Sequence, residues 1–140
     1  DELGRKILMY IGSFGYIISL TLISLSFILN WGGASLPIFL FIFIASHAIG
    51  QGAIIWVYIS EIFPNNIRSY GQSFGVSTHW VLAAIIPSLV PFLFNLVGAG
   101  VVFAFFAFMM VLQLIFVHFI MPETKGISLE DLSKKLIKDN

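Results

Sequence analysis

The chain contains no cysteine among its 140 residues, and it has no charge outside three short patches. The lack of cysteine excludes disulfides and thiolate metal sites within this chain. All Lys, Arg, Asp and Glu residues lie in residues 1–6, 61–68 and 123–139. Charged residues make up 10% of the chain and hydrophobic residues 59%, whereas soluble proteins average about 25% and roughly 45–50%. A soluble fold of this composition would expose too much apolar surface, so the sequence predicts an integral membrane protein.

The two uncharged stretches, residues 7–60 and 69–122, have equal lengths. Each is long enough for two bilayer crossings, since one transmembrane helix needs about 20 residues. Glycine-containing turns at residues 30–33 and 97–100 divide them. The sequence therefore predicts an all-α fold with four transmembrane helices and a tail; the helices are expected at about residues 7–29, 36–60, 70–96 and 101–121, and the tail at residues 122–140.

The distribution of basic residues predicts the orientation of the chain. With two crossings per stretch, all seven Lys and Arg residues fall on one side of the membrane. The positive-inside rule assigns that side to the cytoplasm. We therefore expect a multi-pass protein of the plasma or inner membrane, with both ends of this chain and the tail in the cytoplasm.

Two local features modify this pattern. Gly50-Gln51-Gly52 interrupts the second predicted helix, where missing side chains permit bending or close packing of another helix. In the tail, Ser128 precedes four apolar residues on one helical face, which predicts a short amphipathic helix. These four residues are Leu129, Leu132, Leu136 and Ile137.

Polar side chains recur at helical spacing in the second predicted helix, at His47, Gln51 and Tyr58. One interpretation is that they line a polar cavity, because a histidine within a bilayer usually faces protein or water. The other is that they form hydrogen bonds between helices, each worth about 0.6 kcal/mol on average. Both interpretations place these side chains in the interior of the protein.

The charged patches also have two interpretations. Glu61 and Arg68 flank the turn between the second and third predicted helices, and Arg5 and Glu123 lie at the same membrane level. Charges at helix ends can pair and separate with those ends, which would make these four residues a cytoplasmic gate. Alternatively, they are solvated flanking charges that only set the topology.

Enzymatic and nucleic-acid-binding classes are not favoured. Residues 71–75 fit the hydrolase motif G-x-S-x-G, but that motif requires a turn between a strand and a helix, whereas here it opens a transmembrane helix. Packing through Gly71 and Gly75 is the simpler interpretation. The three histidines lie in separate predicted helices without acidic neighbours, so no metal site is expected. The sequence has no basic patch of the kind that binds nucleic acids, so nucleic-acid binding is not expected either.

Three segments carry distinctive motifs. They are DELGRK at residues 1–6, GAIIWVYISEIFPNNIR at residues 52–68, and PETKG at residues 122–126 followed by Leu129 and Glu130. Together they resemble, in order and spacing, the motifs of the sugar porters in the major facilitator superfamily. The resemblance covers essentially the whole chain. It implies that the four predicted helices correspond to spans nine to twelve, which form part of the C-terminal half of a twelve-helix transporter. A first residue that is not Met agrees with a fragment whose N-terminal spans are missing.

The resemblance implies roles for individual residues. Trp56 matches the tryptophan that stacks on bound sugar, while His79 and Trp80 stand where the family has an amide residue followed by tryptophan. With His47 and Gln51, these three form the expected substrate site, because aromatic faces suit sugar C–H groups and polar side chains satisfy hydroxyls. No cofactor and no metal are expected.

The resemblance further implies transport of a sugar or similar polyhydroxylated solute by alternating access. The expected partners are that solute, the lipid bilayer and the missing N-terminal spans. Two alternatives stay open at this point: a carrier of polyols or organic anions within the same superfamily, and a free-standing four-helix membrane protein with a structural or assembly role.

Overall fold

The computed structural model describes residues 4–31 and 33–127, and all regular elements in this part of the chain are α-helices. The predicted tail helix and residues 1–3 of the first motif lie outside the described residues. The helices are α1 (Arg5–Ile28), α2 (Ser35–Ile49), α3 (Gln51–Ile62), α4 (Arg68–Val97) and α5 (Ala99–Phe119).

Four helical segments are long and apolar enough to cross a membrane. Three of them are α1, α4 and α5, with 24, 30 and 21 residues, and the fourth is the 28-residue segment Ser35–Ile62 that α2 and α3 form together. The predicted all-α architecture is therefore confirmed for the described residues. The predicted interruption of the second helix is also present, because Gly50 separates α2 from α3.

Local chemistry accounts for the ends of the helices. α1 ends at Ile28, after which Asn30 has a φ of 53°, a left-handed conformation that asparagine tolerates. Gly33 and Gly98 have φ values of 83° and 84°, where a side chain would be strained. Pro64, which has no N–H, follows the end of α3. These turns return the chain across the bundle after each segment.

α1 is the most buried helix of the bundle. It packs most extensively against α5 and α2, and it also contacts α3. Several of its buried residues are small, among them Gly12, Ser13 and Ser19, and small residues let helix backbones approach closely in a membrane. Among the described helices α4 contacts only α3 and α5, and none of residues 68–97 is buried.

Two apolar clusters hold the helices together. One is formed by Met9, Tyr58, Val117 and Met121, and the other by Tyr16, Leu20 and Ala107 with partly buried phenylalanines around them. α4 packs on α3 through glycines of the G-x-S-x-G segment: a Cβ on Gly71 would meet the ring of Phe63, and one on Gly75 would lie 3.2 Å from Ile59 Cδ1. This segment therefore serves helix packing, as the sequence predicted.

Candidate functional site: a cavity at a broken helix and a charged cluster at one end

The break between α2 and α3 is formed by a close contact of glycines. Gly50 has φ −103° and ψ −103°, outside the helical region, and a Cβ on it would lie 2.7 Å from the Cα of Gly12 in α1. No other residue leaves room for that approach. α1 therefore touches the backbone of the second span at the point where the span changes direction, and the side chains next to the break are turned toward α1.

Polar side chains on both sides of the break bond to α1. Tyr16 Oη and His47 Nδ1 are hydrogen-bonded to each other, and Gln51 Nε2 donates to Ser13 Oγ over 3.1 Å. Gln51 Oε1 is buried and has no hydrogen-bond partner among the described residues. These contacts fix the orientation of His47 and Gln51 without using all of their hydrogen-bonding capacity.

An open cavity of about 600 Å³ lies beside the break. Its lining is largely aromatic and aliphatic, which is typical of small-molecule sites, and it includes a few polar groups. The polar side chains in the lining are Tyr16, His47, Gln51, His79 and Gln113. The structure thus brings together three of the five residues predicted for the substrate site, from α2, α3 and α4. Gln113 of α5 was not among the predicted site residues, although its polarity within an apolar helix was a usable signal.

The two predicted tryptophans lie next to His79 and outside the cavity lining. The Trp56 and His79 ring centroids are 4.8 Å apart and the rings meet edge to face, while His79 and Trp80 are 5.5 Å apart. Trp56 is 37% exposed and Trp80 is 64% exposed. Trp56 therefore has a free surface beside His79, and most of Trp80 is exposed.

Tyr58, which the spacing placed with His47 and Gln51, is in a different environment. It lies two turns beyond Gln51, where α1 and α5 close over α3, and it is buried with Met9, Val117 and Met121. The prediction that Tyr58 lines the cavity is therefore wrong. The helical spacing correctly placed Tyr58 on the interior face of the helix, but it does not show at which level of the bundle the cavity lies.

The four predicted gate residues gather at one end of the bundle, here called the charged end. Arg5 Nη2 and Glu61 Oε1 form an ion pair at 2.9 Å, and Thr124 Oγ1 donates to Glu61 Oε2 at 2.5 Å. Arg68 Nε donates to the Phe63 carbonyl at 3.3 Å, and Arg68 Nη2 has no partner among the described residues. Glu61 thus joins α1, α3 and the segment after α5, while Arg68 lies beside this network.

Glu123 caps the first turn of α1. Its Oε1 accepts from the N–H of Arg5 at 3.0 Å, and its Oε2 accepts from the N–H of Lys6 at 3.1 Å. These are N–H groups that no helical carbonyl can satisfy. Burial raises the pKa of Glu123, but backbone N–H groups of Lys125, Lys6, Arg5 and Thr124 outweigh burial and hold the pKa below its usual value. The cap also depends on Gly4, because a Cβ there would lie 2.8 Å from Glu123 Cδ.

Within residues 4–31 and 33–127, no three His, Asp or Glu side chains are close enough to hold a metal ion. Four long apolar helical segments, a cavity at a glycine break and charges gathered at one end are the features of a multi-pass membrane protein. Residues 1–136 match the family profile described as "Sugar (and other) transporter". The chain belongs to this family.

The relatives in this family are longer proteins. The chain is 37% identical over 139 residues to the arabinose-proton symporter of Bacillus subtilis, covering 99% of this chain and 30% of that protein. It is 34% identical to the D-xylose-proton symporter-like 2 of Arabidopsis thaliana, covering 98% of this chain and 27% of that protein. The chain therefore spans less than a third of the length of these two relatives.

The fold is also similar to that of a solved transporter. The inward-open structure of the xylose transporter XylE from E. coli superposes with a TM-score of 0.91 at 30% sequence identity, covering 96% of this chain and 30% of that chain. The four membrane segments thus form part of a major facilitator fold, as the motifs implied.

Proposed function

We propose that this chain is part of a transporter that moves a sugar or similar polyhydroxylated solute across a membrane by alternating access. The observation that carries the proposal is the convergence of His47, Gln51 and His79 on one cavity beside the helix break. Membership in a transporter family and the printed names of the relatives support it. Family membership also favours transport over a structural or assembly role.

The chemistry of the cavity suits a polyhydroxylated solute. Amide and neutral imidazole groups each offer a donor and an acceptor, which is what a sugar hydroxyl requires. The aromatic lining and the free surface of Trp56 offer apolar faces for sugar C–H groups. The proposed solute contacts are His47, Gln51, His79, Trp56 and Trp80.

The remaining transporter spans would complete the site. α4 has no buried residue and carries large exposed side chains such as Phe74 and Trp80. We infer that the spans missing from this chain pack against α4 and close the open side of the cavity. This chain would then supply one part of the solute site and would not transport alone.

The charged end is proposed to face the cytoplasm and to act as a gate. The basic residues of this end fit the positive-inside rule. Arg5 and Glu61 pair across α1 and α3, Arg68 begins α4, and Glu123 fixes the start of α1. A network that joins helix ends favours the state in which those ends are together, so the gate is proposed to favour the outward-open state.

A carrier of a polyol or an organic anion is the second candidate function. The family description itself includes solutes other than sugars, and the described cavity holds two histidines and no carboxylate. Protonated imidazoles would favour an anion, whereas neutral imidazoles would favour a polyol.

Uptake by the full-length transporter in liposomes tests the proposal. A panel of radiolabelled pentoses, hexoses, polyols and carboxylates is compared, and the solute with the fastest saturable uptake is used for the variants. Trp56→Ala should weaken its apparent affinity by about 1 to 3 kcal/mol, the scale of a lost aromatic contact. Trp31→Ala, in the turn after α1, is the matched control. No saturable uptake of any sugar or polyol would reject the sugar proposal, and unchanged affinity in Trp56→Ala would reject the role of Trp56.

A further inference from the structure

Two neighbouring contacts bring α1 and α2 together beside the helix break. A Cβ on Gly15 would overlap Ser46 Oγ, so the two helices are close at this level. The next residue of each helix forms the second contact, in which Tyr16 Oη and His47 Nδ1 are hydrogen-bonded. The two ring centroids are 6.1 Å apart and the interplanar angle is 55°, so the rings are not stacked. Both side chains line the cavity of about 600 Å³ at the break, here called the solute cavity.

Packing holds the Tyr16 side chain in place. Tyr16 is only 7% exposed and belongs to an apolar cluster with Leu20 and Ala107. Its ring also contacts that of Phe43, with ring centroids 4.9 Å apart. Rotation of a tyrosine ring about its own axis does not move the phenolic oxygen. The Tyr16 oxygen is therefore a fixed point to which the more exposed His47 ring is tied.

This hydrogen bond also determines which imidazole nitrogen carries the proton. A phenol has one O–H to donate, whereas a neutral imidazole has one N–H donor and one acceptor nitrogen. Tyr16 Oη has no other acceptor among the described residues, and its low exposure leaves little room for one from outside these helices. A buried tyrosine O–H normally has an acceptor. Nδ1 of His47 is therefore the acceptor, and the imidazole proton lies on Nε2.

The Nε2 atom of His47 lies next to the second half of the broken span. A Cβ on Gly52 would lie 2.8 Å from this nitrogen, so the glycine keeps the space beside it free of a side chain. The imidazole thus extends across the break, from α1 at Nδ1 to the first turn of α3 at Nε2.

We propose that Tyr16 is a positioning residue of the solute site, which makes His47 a hydrogen-bond donor. Because Nδ1 is occupied by Tyr16, the neutral ring offers only its Nε2–H to a solute. Such a donor favours an acceptor oxygen at that point, as a sugar hydroxyl or ring oxygen provides. This inference rests on the proposed function, since it takes the cavity to be the site of the solute.

Nitrogen NMR of the full-length transporter in lipid bilayers tests the position of the proton. Histidines are labelled with the heavy nitrogen isotope, no solute is present, and the His47 signal is identified by its loss in His47→Gln. We expect one tautomer in the wild type, with the proton on Nε2, and a second population with the proton on Nδ1 in Tyr16→Phe. Tyr10→Phe is the matched control, because Tyr10 lies on the same helix and is hydrogen-bonded to His118 Nδ1 at 2.9 Å. It should change the His118 signal and leave the His47 signal as in the wild type.

Solute affinity tests whether this arrangement matters for binding. The probe is the solute with the fastest saturable uptake in the panel above. Tyr16→Phe keeps the ring and its packing, and it should weaken the affinity about three- to tenfold, the effect of one lost hydrogen bond. In a His47→Ala background the same change should have less than about a twofold effect, because the residue through which Tyr16 acts is absent.

Two kinds of result would overturn the proposal. One is a wild-type spectrum in which the His47 proton lies on Nδ1 or in which both nitrogens carry protons. The other is an equal loss of affinity from Tyr16→Phe in both backgrounds, which would show that Tyr16 acts only through packing. If Tyr16→Phe does not fold, the wild-type spectrum still decides the position of the proton. Absence of saturable uptake would instead reject the proposed function, and the spectra would still test the assignment of the proton.

Discussion

His79 contacts Trp56 and Trp80 edge-on and also lines the solute cavity. Both an imidazole and an amide offer hydrogen-bonding groups to a solute hydroxyl, whereas alanine offers none. We therefore expect His79→Ala to weaken solute binding by about 0.5 to 1.5 kcal/mol, the range for a lost hydrogen bond, and His79→Gln to lose less. Equilibrium binding at neutral pH measures both variants. Equal losses in His79→Ala and His79→Gln would show that His79 acts only in packing.

Glu123 is expected to contribute to the folding stability of the protein. Its carboxylate accepts hydrogen bonds from the first two N–H groups of α1, so Glu123→Gln should destabilise the protein by about 0.5 to 2 kcal/mol, the range for a lost helix cap. Because its pKa is lowered in the folded state, this contribution is complete above the usual carboxyl pKa and is lost as the pH falls through the lowered value.

Melting of the two proteins in detergent at neutral and acidic pH tests both parts of this expectation. The gap in melting temperature between wild type and Glu123→Gln should be largest at neutral pH and should shrink in acid. Thr124→Val changes a neighbouring side chain that does not bond to the N–H groups of α1, so its effect should not depend on the Glu123 titration. A gap that stays constant with pH would contradict the cap.

Individual contacts were the part of the site that sequence predicted least well. The sequence placed Arg5, Glu61, Arg68 and Glu123 at one membrane level, because hydrophobic lengths set the level of the flanking charges. It did not predict which atoms meet. The partner of the Arg5 guanidinium is 56 residues away, and the carboxylate that caps α1 is more than 110 residues away. Such pairs follow from tertiary packing, which no local pattern encodes.

At the level of elements, the crossing of α1 with the α2–α3 break is a close contact between two glycine backbones. A Cβ on Gly50 would meet the backbone of Gly12, which cannot move aside as a side chain can. Gly50→Ala should therefore destabilise the protein by about 1 to 3 kcal/mol, the usual cost of overpacking. Gly75→Ala is the matched control, because its Cβ would meet only side-chain atoms of Ile59, at 3.2 Å or more. The fraction of full-length protein that stays monodisperse after heating measures both, and equal effects would contradict the account of the crossing.

The elements themselves were largely predictable. The glycines at residues 50 and 52 indicated the break in the second span, and the structure places it at Gly50. The helices extend two residues beyond some predicted ends, so that Arg5, Glu61 and Arg68 are helical. A helix can continue into the headgroup region, which lies outside the hydrocarbon core that the apolar runs measure.

At the scale of the whole molecule, the proposed gate connects the charged end to alternating access. Glu61→Gln removes the acceptor charge that joins α1 and α3, so it should shift the population toward the inward-open state by about 1 to 3 kcal/mol, the usual range of coupling energies. Distances between spin labels at the charged ends of the two transporter halves measure the shift, and they should lengthen in Glu61→Gln but not in Lys6→Gln. If the distance distribution does not move, these charges only set the topology.

The central claim is that the transported solute occupies the cavity beside the helix break. This chain has no cysteine, so Ile55→Cys places a single reactive thiol of this region in the cavity lining, and Asn65→Cys places one in the exposed turn after α3. Cysteines elsewhere in the full-length transporter are replaced. The rate of maleimide labelling is then measured with and without the transported solute. The account predicts that saturating solute slows labelling of Ile55→Cys and leaves Asn65→Cys unchanged. Labelling of Ile55→Cys at the same rate with and without the solute would contradict it.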